Sequence, residues 1–337
     1  MAKIAINGFG RIGRAFFREA AKRPELEIVA INDLGPLDNL AYLLKYDTVY
    51  GRAPFSVEAK DGALVVNGKA IKFLSEKEMK ALPWKDLGIE IVIESTGVFN
   101  DYESAAGHIA AGAKRVVISA PAKGEEGAAG VTVLMGLNQE KLKTSKVTSN
   151  ASCTTNSASP MITILDETIG IEAALLNTTH AYTATQMIVD GISKKDWRGG
   201  RAAAQNIIPS STGAAVAVTK AYTKLAGKFD GISLRVPVPV GSVADITFIA
   251  KRDTTKEEVN EILKKAARDE RWKGIFRVSE EEIVSSDIIG DTHASIADLP
   301  MTRVVGGKLV KVLAWYDNEY GYTGSLVMHV VEAAKNL

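Results

Sequence analysis

The stretch KIAINGFGRIG, Lys3–Gly13, decides how the first half of this 337-residue chain folds. KIAIN reads as a strand, and Gly8, Gly10 and Gly13 follow it as GxGxxG at the start of a helical pattern over Arg11–Lys22. In that spacing the first glycine permits the tight turn, the second lets a pyrophosphate approach the backbone, and the third allows close helix–strand packing. The helix N-terminus adds unpaired N–H groups and a partial positive charge suited to phosphates. A second strand, LEIVAIN (Leu26–Asn32), completes the strand–helix–strand unit and leads into Asp33, 20 residues beyond Gly13. A carboxylate there accepts from the ribose hydroxyls of a dinucleotide and repels a ribose 2′-phosphate, which favours NAD over NADP.

Outward from this unit, IEIVIES (Ile89–Ser95) and KRVVISA (Lys114–Ala120) are continuously apolar at their centres, as strands of a parallel sheet covered on both faces should be. The alanine-rich DYESAAGHIAAGA between them predicts a helix. The first half is therefore α/β with a doubly wound, mostly parallel Rossmann-type sheet. After residue 150 the texture changes. GISLRVPVPVGSVADITFIA (Gly231–Ala250) is a long β stretch broken by Pro237 and Pro239, suggesting antiparallel strands. In TKEEVNEILKKAARDE, Thr255 and Glu258 make a capping box, with Val259, Ile262, Leu263 and Ala266 on one apolar face. Single cores stop growing near ~250–300 residues, so two domains are expected: an NAD-binding domain over 1–150, and an α+β catalytic domain with a largely antiparallel sheet over 151–318. A C-terminal helix, 319–337, is expected to pack back on the first.

Forty-one basic and 40 acidic side chains leave a net charge of +1, so no general field draws nucleic acid or an anionic membrane. The basic run SKKDWRGGR (Ser193–Arg201) is short, and no RNA-binding module accompanies it. No run approaches the ~20 apolar residues of a spanning helix, and the N-terminus carries no apolar leader. One cysteine cannot form an internal disulfide, and four scattered histidines show no metal-ligand spacing. A cytoplasmic protein without metal or membrane partner is expected.

That one cysteine lies in SNASCTTNSASP (Ser149–Pro160), where KVTSNA ends a strand and TTNSASPMITILDETIG begins a helix with Ile162, Leu165 and Ile169 on one face. A lone cysteine is ordinarily a small hydrophobe. Cys153 instead stands at a strand-to-helix turn, where a helix N-terminus can lower a thiol's pKa to ~3.5–7.5. The hydroxyls of Ser152, Thr154 and Thr155 suit an anion at the same helix end better than core packing. A thiol nucleophile needs a base. His108 and His329 fall in helical patterns and His293 in a polar loop, whereas His180 ends AALLNTTH, a strand directly after the Cys153 helix. Strand–helix–strand adjacency can bring its imidazole back to the thiol.

The blocks INGFGRIGR, ISAPAK, SNASCTTN, HAYTATQ, RAAAQNIIPSSTGAA, LRVPVP and WYDNEYGY occur in this order between Ile6 and Tyr322, within a match that runs essentially from residue 3 to residue 335. Together they closely resemble the phosphorylating glyceraldehyde-3-phosphate dehydrogenases. The resemblance implies oxidation and phosphorylation of glyceraldehyde 3-phosphate to 1,3-bisphosphoglycerate, through a thioester on Cys153 with His180 as its base. It implies cofactor contacts by Arg11, Ile12, Asp33, Lys77 and Ser119, and a nicotinamide contact by Asn318. It places Thr183, Arg235 and Arg198 at the substrate phosphate, and Ser152, Thr154, Thr212 and Gly213 at the inorganic phosphate. A homotetramer is implied too. Ser157 replaces a second cysteine common in relatives, and Ile192 follows Gly191 where many NAD-specific relatives carry proline. The nearest alternative is erythrose-4-phosphate dehydrogenase, which delivers its acyl group to water; a nucleotide- or RNA-binding regulatory protein is a distant one.

Overall fold

In the computed structural model, which describes residues 1–193 and 196–337, the strand Ala2–Asn7 lies between Leu26–Asn32 and Ile91–Glu94, parallel to both. Lys194 and Lys195 of the basic run lie outside the described residues. Beyond Ile91–Glu94 the parallel sheet continues through Arg115–Ile118, Val147–Ser149 and Val131–Thr132. On the other side comes Lys69–Leu74, parallel, then the antiparallel strands Ala63–Val66 and Val57–Lys60. Ile91, Val92, Ile93, Val116 and Val117 are wholly buried, which is why their runs are apolar without alternation. The sheet extends to both sides of Ala2–Asn7, so that strand's C-terminal end is a topological switch point, where open α/β sheets bind ligands.

The alanine-rich segment differs from its expected single helix. It forms two one-turn helices, Tyr102–Ala105 and Gly107–Ala110. A Cβ at Gly107 would stand 2.3 Å from the Met79 sulfur, so glycine admits the packing of Met79 and gives up helix propensity where it does so.

The second sheet has seven strands in the order Ile208–Ser211, Phe229–Val236, Ile171–Ala181, Ser242–Ala250, Leu309–Tyr316, Ser295–Val305 and Phe276–Ser279. Four of its six pairings are antiparallel. Pro237 and Pro239 fall between two strands, where no ladder needs their missing N–H groups. The helix Cys153–Thr168 packs against Ala214–Ala221, Lys256–Ala266 and the sheet, burying Ile162, Leu165 and Ile169. Thr255 caps Lys256–Ala266 by accepting from Glu258 N at 3.2 Å. The Glu258 carboxylate turns instead to Arg252, 2.7 Å away, so only half of the expected capping box forms: a charged partner outbids a backbone amide.

By their contacts, residues Met1–Ala151 with Leu326–Leu337 form one unit and Ser152–Ser325 another. Among the described residues no helix is long and apolar enough to cross a membrane.

Candidate active site

A cleft of about 820 Å³ opens in the first unit at the carboxyl ends of its three central strands, with Asn7, Gly8, Gly10, Asn32, Asp33, Lys77 and Thr96 in its lining. Gly8 has φ +96°, and a Cβ there would lie 2.6 Å from the Ser95 carbonyl carbon. A Cβ on Gly13 would meet Gly8 O at 2.1 Å. Only glycine lets helix and strand approach this closely. At Gly10 nothing lies within 4 Å of a Cβ position, and no side chain caps the helix Arg11–Ala20. The backbone at Gly10 is thus open to close approach at a helix N-terminus, as a pyrophosphate site requires. Asp33 is fixed by accepting from Phe9 N (2.6 Å) and Gly35 N (2.8 Å), which leaves each carboxylate oxygen a further lone pair for a ribose hydroxyl. These features fit a dinucleotide.

The other expected cofactor residues are less directly placed. Lys77 lines the cleft; Arg11, Ile12 and Ser119 are not among its lining residues. The Arg11 guanidinium pairs with Asp47 at 2.7 Å. Ser119 donates its backbone N–H to Glu94 O, and its buried hydroxyl has no hydrogen-bond partner.

Beneath the cleft runs a buried network that the sequence did not reveal. Trp84 Nε1–H donates to His108 Nδ1 (2.9 Å), so the imidazole proton sits on Nε2 and is donated to Glu94 Oε2 (3.0 Å). The same oxygen accepts from Asn7 Nδ2 (2.6 Å), and Asn7 Oδ1 accepts from Asn32 Nδ2 (2.7 Å). His108, bland in its helical sequence context, thus anchors two asparagines of the cleft.

In the second unit Cys153 is the first residue of its helix, capped by Ser152, whose Oγ accepts from Thr155 N at 3.1 Å. Cys153 Sγ lies 3.3 Å from His180 Nε2. His180 comes from Ile171–Ala181, the strand directly after that helix, and its partner in the neighbouring parallel strand is Arg235. Arg235 Nη1 approaches His180 Nδ1 at 2.6 Å and donates to Ala181 O at 3.2 Å. Tyr316 was missed by sequence reasoning. Its ring meets the imidazole edge-on, centroids 6.0 Å apart, and its hydroxyl bonds Thr154 Oγ1 (2.8 Å) and Thr178 Oγ1 (2.7 Å). The only signal was period-2 spacing, which puts Thr178 and His180 on one face of their strand.

Two expectations need correction. The helix-end position does not leave the thiol acidic: burial pushes the Cys153 thiol up, against the Arg235 charge and hydrogen bonding to Thr154. Burial, with Arg235 second, holds the His180 imidazole down to about 3. Nor do the neighbouring hydroxyls all serve an anion. Thr154 (4% exposed) is committed to Tyr316, and fully buried Thr155 to Ser152.

The remaining residues are spread over several loops. Thr183 lies just beyond the His180 strand, its hydroxyl 3.0 Å from that of Thr185. Thr212 and Gly213 stand at the start of Ala214–Ala221, with Thr212 Oγ1 accepting from Ala214 N (3.2 Å). Arg198 is exposed in a short 3-10 turn, Trp197–Gly200. Asn318 Oδ1 accepts from Gly241 N and Ser242 Oγ, both at 3.0 Å. A backbone N–H can only donate, so the Asn318 amide is fixed with its NH₂ turned away from Gly241.

Comparison with known proteins agrees with these features. Residues 2–102 match the model for the glyceraldehyde 3-phosphate dehydrogenase NAD binding domain, and residues 152–318 the model for the C-terminal domain of the same family. The chain is 51% identical over 330 residues to glyceraldehyde-3-phosphate dehydrogenase of Thermotoga maritima, covering 97% of each chain. It is 50% identical to that of Streptomyces coelicolor and 49% identical to that of Geobacillus stearothermophilus, covering 96% of each chain in both cases. With an NAD-type cleft in one unit and a thiol–imidazole pair in the other, the chain belongs to the glyceraldehyde-3-phosphate dehydrogenase family.

Proposed function

We propose that this chain oxidises the aldehyde of D-glyceraldehyde 3-phosphate and passes the acyl group to inorganic phosphate, giving 1,3-bisphosphoglycerate. The observation that carries this reading is the 3.3 Å approach of Cys153 Sγ to His180 Nε2 at a helix N-terminus, beside the guanidinium of Arg235. Among the described residues Arg235 makes no ion pair with a carboxylate, so its charge is available to a phosphate.

Sγ attacks the aldehyde carbon while His180 Nε2 takes the thiol proton, and the raised thiol pKa makes this coupled transfer necessary. The proton passes to the new alkoxide, giving a thiohemiacetal. NAD, when bound through the glycine turn and Asp33, supplies the acceptor for the hydride on that carbon. His180 Nε2 removes the hydroxyl proton as the carbon becomes a thioester. Sulfur keeps that acyl group open to attack, and an inorganic phosphate oxygen displaces the Cys153 thiolate. Thr183 and Arg235 hold the substrate phosphate, with Arg198 at the rim. Ser152, Thr212 and the Gly213 backbone hold the attacking phosphate, with Thr154 contributing its backbone N–H. The NH₂ of Asn318, directed by its anchored oxygen, holds the nicotinamide carboxamide.

The protein is further proposed to work in the cytoplasm as a homotetramer. In support of assembly, Ile188, Ile192 and Trp197 are between 86% and 89% exposed, an apolar display that a second subunit would cover. Steady-state NADH formation from glyceraldehyde 3-phosphate, with inorganic phosphate varied, tests the chemistry. Turnover should rise from near zero to saturation with phosphate. Full turnover without phosphate would assign the acyl group to water and sink the phosphorylating reading.

A further inference from the structure

The last residues of the three central strands of the first unit form one polar row. Asn7 stands opposite Asn32 on one side and Glu94 on the other, so the three side chains share a face of the sheet. One register position earlier the row is Ile6, Ile31 and Ile93, all wholly buried. The polar row is scarcely more accessible, none of its members being more than 5% exposed. Buried amides and carboxylates destabilise unless every partner is met, and apolar side chains would fill the position with less penalty. A row of this kind at the edge of a ligand cleft points to a task other than packing.

Backbone groups and one indole settle its donors and acceptors. Glu76 N donates to Asn32 Oδ1 (2.8 Å) and Glu76 O accepts from Asn32 Nδ2 (2.9 Å), which fixes both ends of that amide. Asn32 Nδ2 also donates to Asn7 Oδ1, and this turns Asn7 Nδ2 onto Glu94 Oε2. Trp84 Nε1–H, a donor and nothing else, holds His108 Nδ1 and leaves His108 Nε2–H for the same oxygen. Glu94 Oε1 accepts from Thr96 N at 2.9 Å and lies against the Thr96 hydroxyl. One carboxylate thus joins lining residues from both sides of the strand Ala2–Asn7: Asn32 and Glu76 on one side, Thr96 on the other.

We propose that Trp84, His108 and Glu94 are a buried positioning chain for the dinucleotide: His108 orients Glu94, and Glu94 holds Asn7 and Thr96, so that NAD affinity depends on an imidazole that never touches the cofactor. None of the three lines the cleft. They act on residues that do. Gly8 N donates to Asn32 O (2.8 Å) and Gly8 O accepts from Ser95 Oγ (2.7 Å), so the glycine turn is tied to the strand ends on both sides. Asp33 follows Asn32 directly, and freedom in the asparagine would pass straight into the carboxylate that meets the ribose. A wall already ordered in the free protein leaves less for binding to fix. The chain rests on the reading of this cleft as the NAD site and is indifferent to the acceptor of the acyl group.

The test uses the full-length protein, with calorimetric titration of NAD and of ADP-ribose beside initial rates of NADH formation. Glu94→Gln keeps the shape and brings an NH₂. Toward Thr96 N, or toward Asn7 and His108, that NH₂ sets donor against donor; neither side can turn, one being backbone and the other pinned by Glu76 and Trp84. His108→Leu removes the imidazole from between Glu94 and Trp84, and His108→Gln returns an amide N–H in its place. Dissociation constants for NAD and ADP-ribose should rise together, on the order of tenfold, in Glu94→Gln and His108→Leu, and stay within about threefold of wild type in His108→Gln. The kcat at saturating NAD should not fall, and iodoacetamide should alkylate Cys153 at the wild-type rate. His329→Asn is the control: it removes another buried histidine of the same unit, bonded to Thr148 and Asn150 and outside the lining, and should lower the melting temperature without moving either affinity.

If the network serves stability alone, Glu94→Gln and His108→Leu melt earlier and lose kcat while both affinities stay put, and the proposal is overturned. Equal loss of affinity in His329→Asn overturns it too, as does a loss for NAD with none for ADP-ribose, which would place the effect at the nicotinamide. Should one of the two variants fail to fold, the other decides; should neither fold, the network is a requirement of the fold itself and the proposal falls. NADH formation that ignores phosphate, with the affinities shifted as expected, overturns the proposed function and leaves the positioning chain standing.

Discussion

The cleft beside Asp33 is walled by backbone: three strand ends, glycines too tightly approached for a Cβ, and one carboxylate pinned by two amides. The site around Cys153 is made of side chains from four separate stretches, residues 153, 180, 235 and 316, brought together by sheet register. A backbone-built site can be written in one short continuous motif, because local conformation is what the ligand meets. A side-chain site has no such motif, and its electrostatics depend on what the fold buries beside it. That contrast explains why the reading of Gly8 and Gly13 carried through to geometry while the expected acidic thiol did not.

The two regions should fail independently, and the largest effect tests this. Cys153→Ser should lower NADH formation on the order of 10³-fold or more while leaving fold and NAD affinity unchanged. Circular dichroism, NAD titration and initial rates on one preparation check it, and a coincident loss of NAD binding would break the separation. Gly13→Ala is the converse: the new Cβ meets backbone 2.1 Å away, at a cost of about 3 kcal/mol in stability. Thermal melting and NAD binding should both suffer, while Cys153 alkylation at a permissive temperature keeps its wild-type rate.

Acid should weaken both units through buried histidines, His180 in the second and His329 in the first. His180 and His329 are held from 6.5 to about 3, chiefly by burial. Each imidazole is neutral when folded and gains a proton on unfolding, so its contribution is fully present above pH 6.5 and is lost as pH falls toward 3. At pH 5 the loss is about 2 kcal/mol for each. Melting temperature followed from pH 8 to pH 4 should fall accordingly, and His329→Asn should flatten the slope. The smallest effect belongs to Asp33. Asp33→Ala should shift the ratio of kcat/KM for NAD over NADP toward NADP by about tenfold, or ~1.4 kcal/mol; an unchanged ratio would mean the ribose contact lies elsewhere.

The sheets were legible because apolar runs such as IEIVIES and VVIS are buried on both faces, and because Pro237 and Pro239 sit where a ladder ends. The split of the alanine-rich segment was hidden from its local sequence, in which Gly107 also lies against Met79, 28 positions earlier in the chain. In the thiol site the pairing of Cys153 with His180 followed from two consecutive elements. Tyr316 and the seat of Arg235 on Nδ1 did not, since both arise from register across strands. Thr154 shows the limit most plainly: a hydroxyl beside Cys153 in sequence proved to be the partner of a buried phenol.

One turn beyond Cys153 on the same helix stands Ser157, fully buried, and no second thiol occurs anywhere in the chain. A sulfenic acid formed at Cys153 by peroxide therefore has no resolving cysteine within its own polypeptide and cannot be sheltered as an internal disulfide. Recovery must come from an outside reductant before a second oxidation makes the damage permanent. The same solitude gives the experimenter a clean tool, since every equivalent of a thiol reagent consumed counts one Cys153.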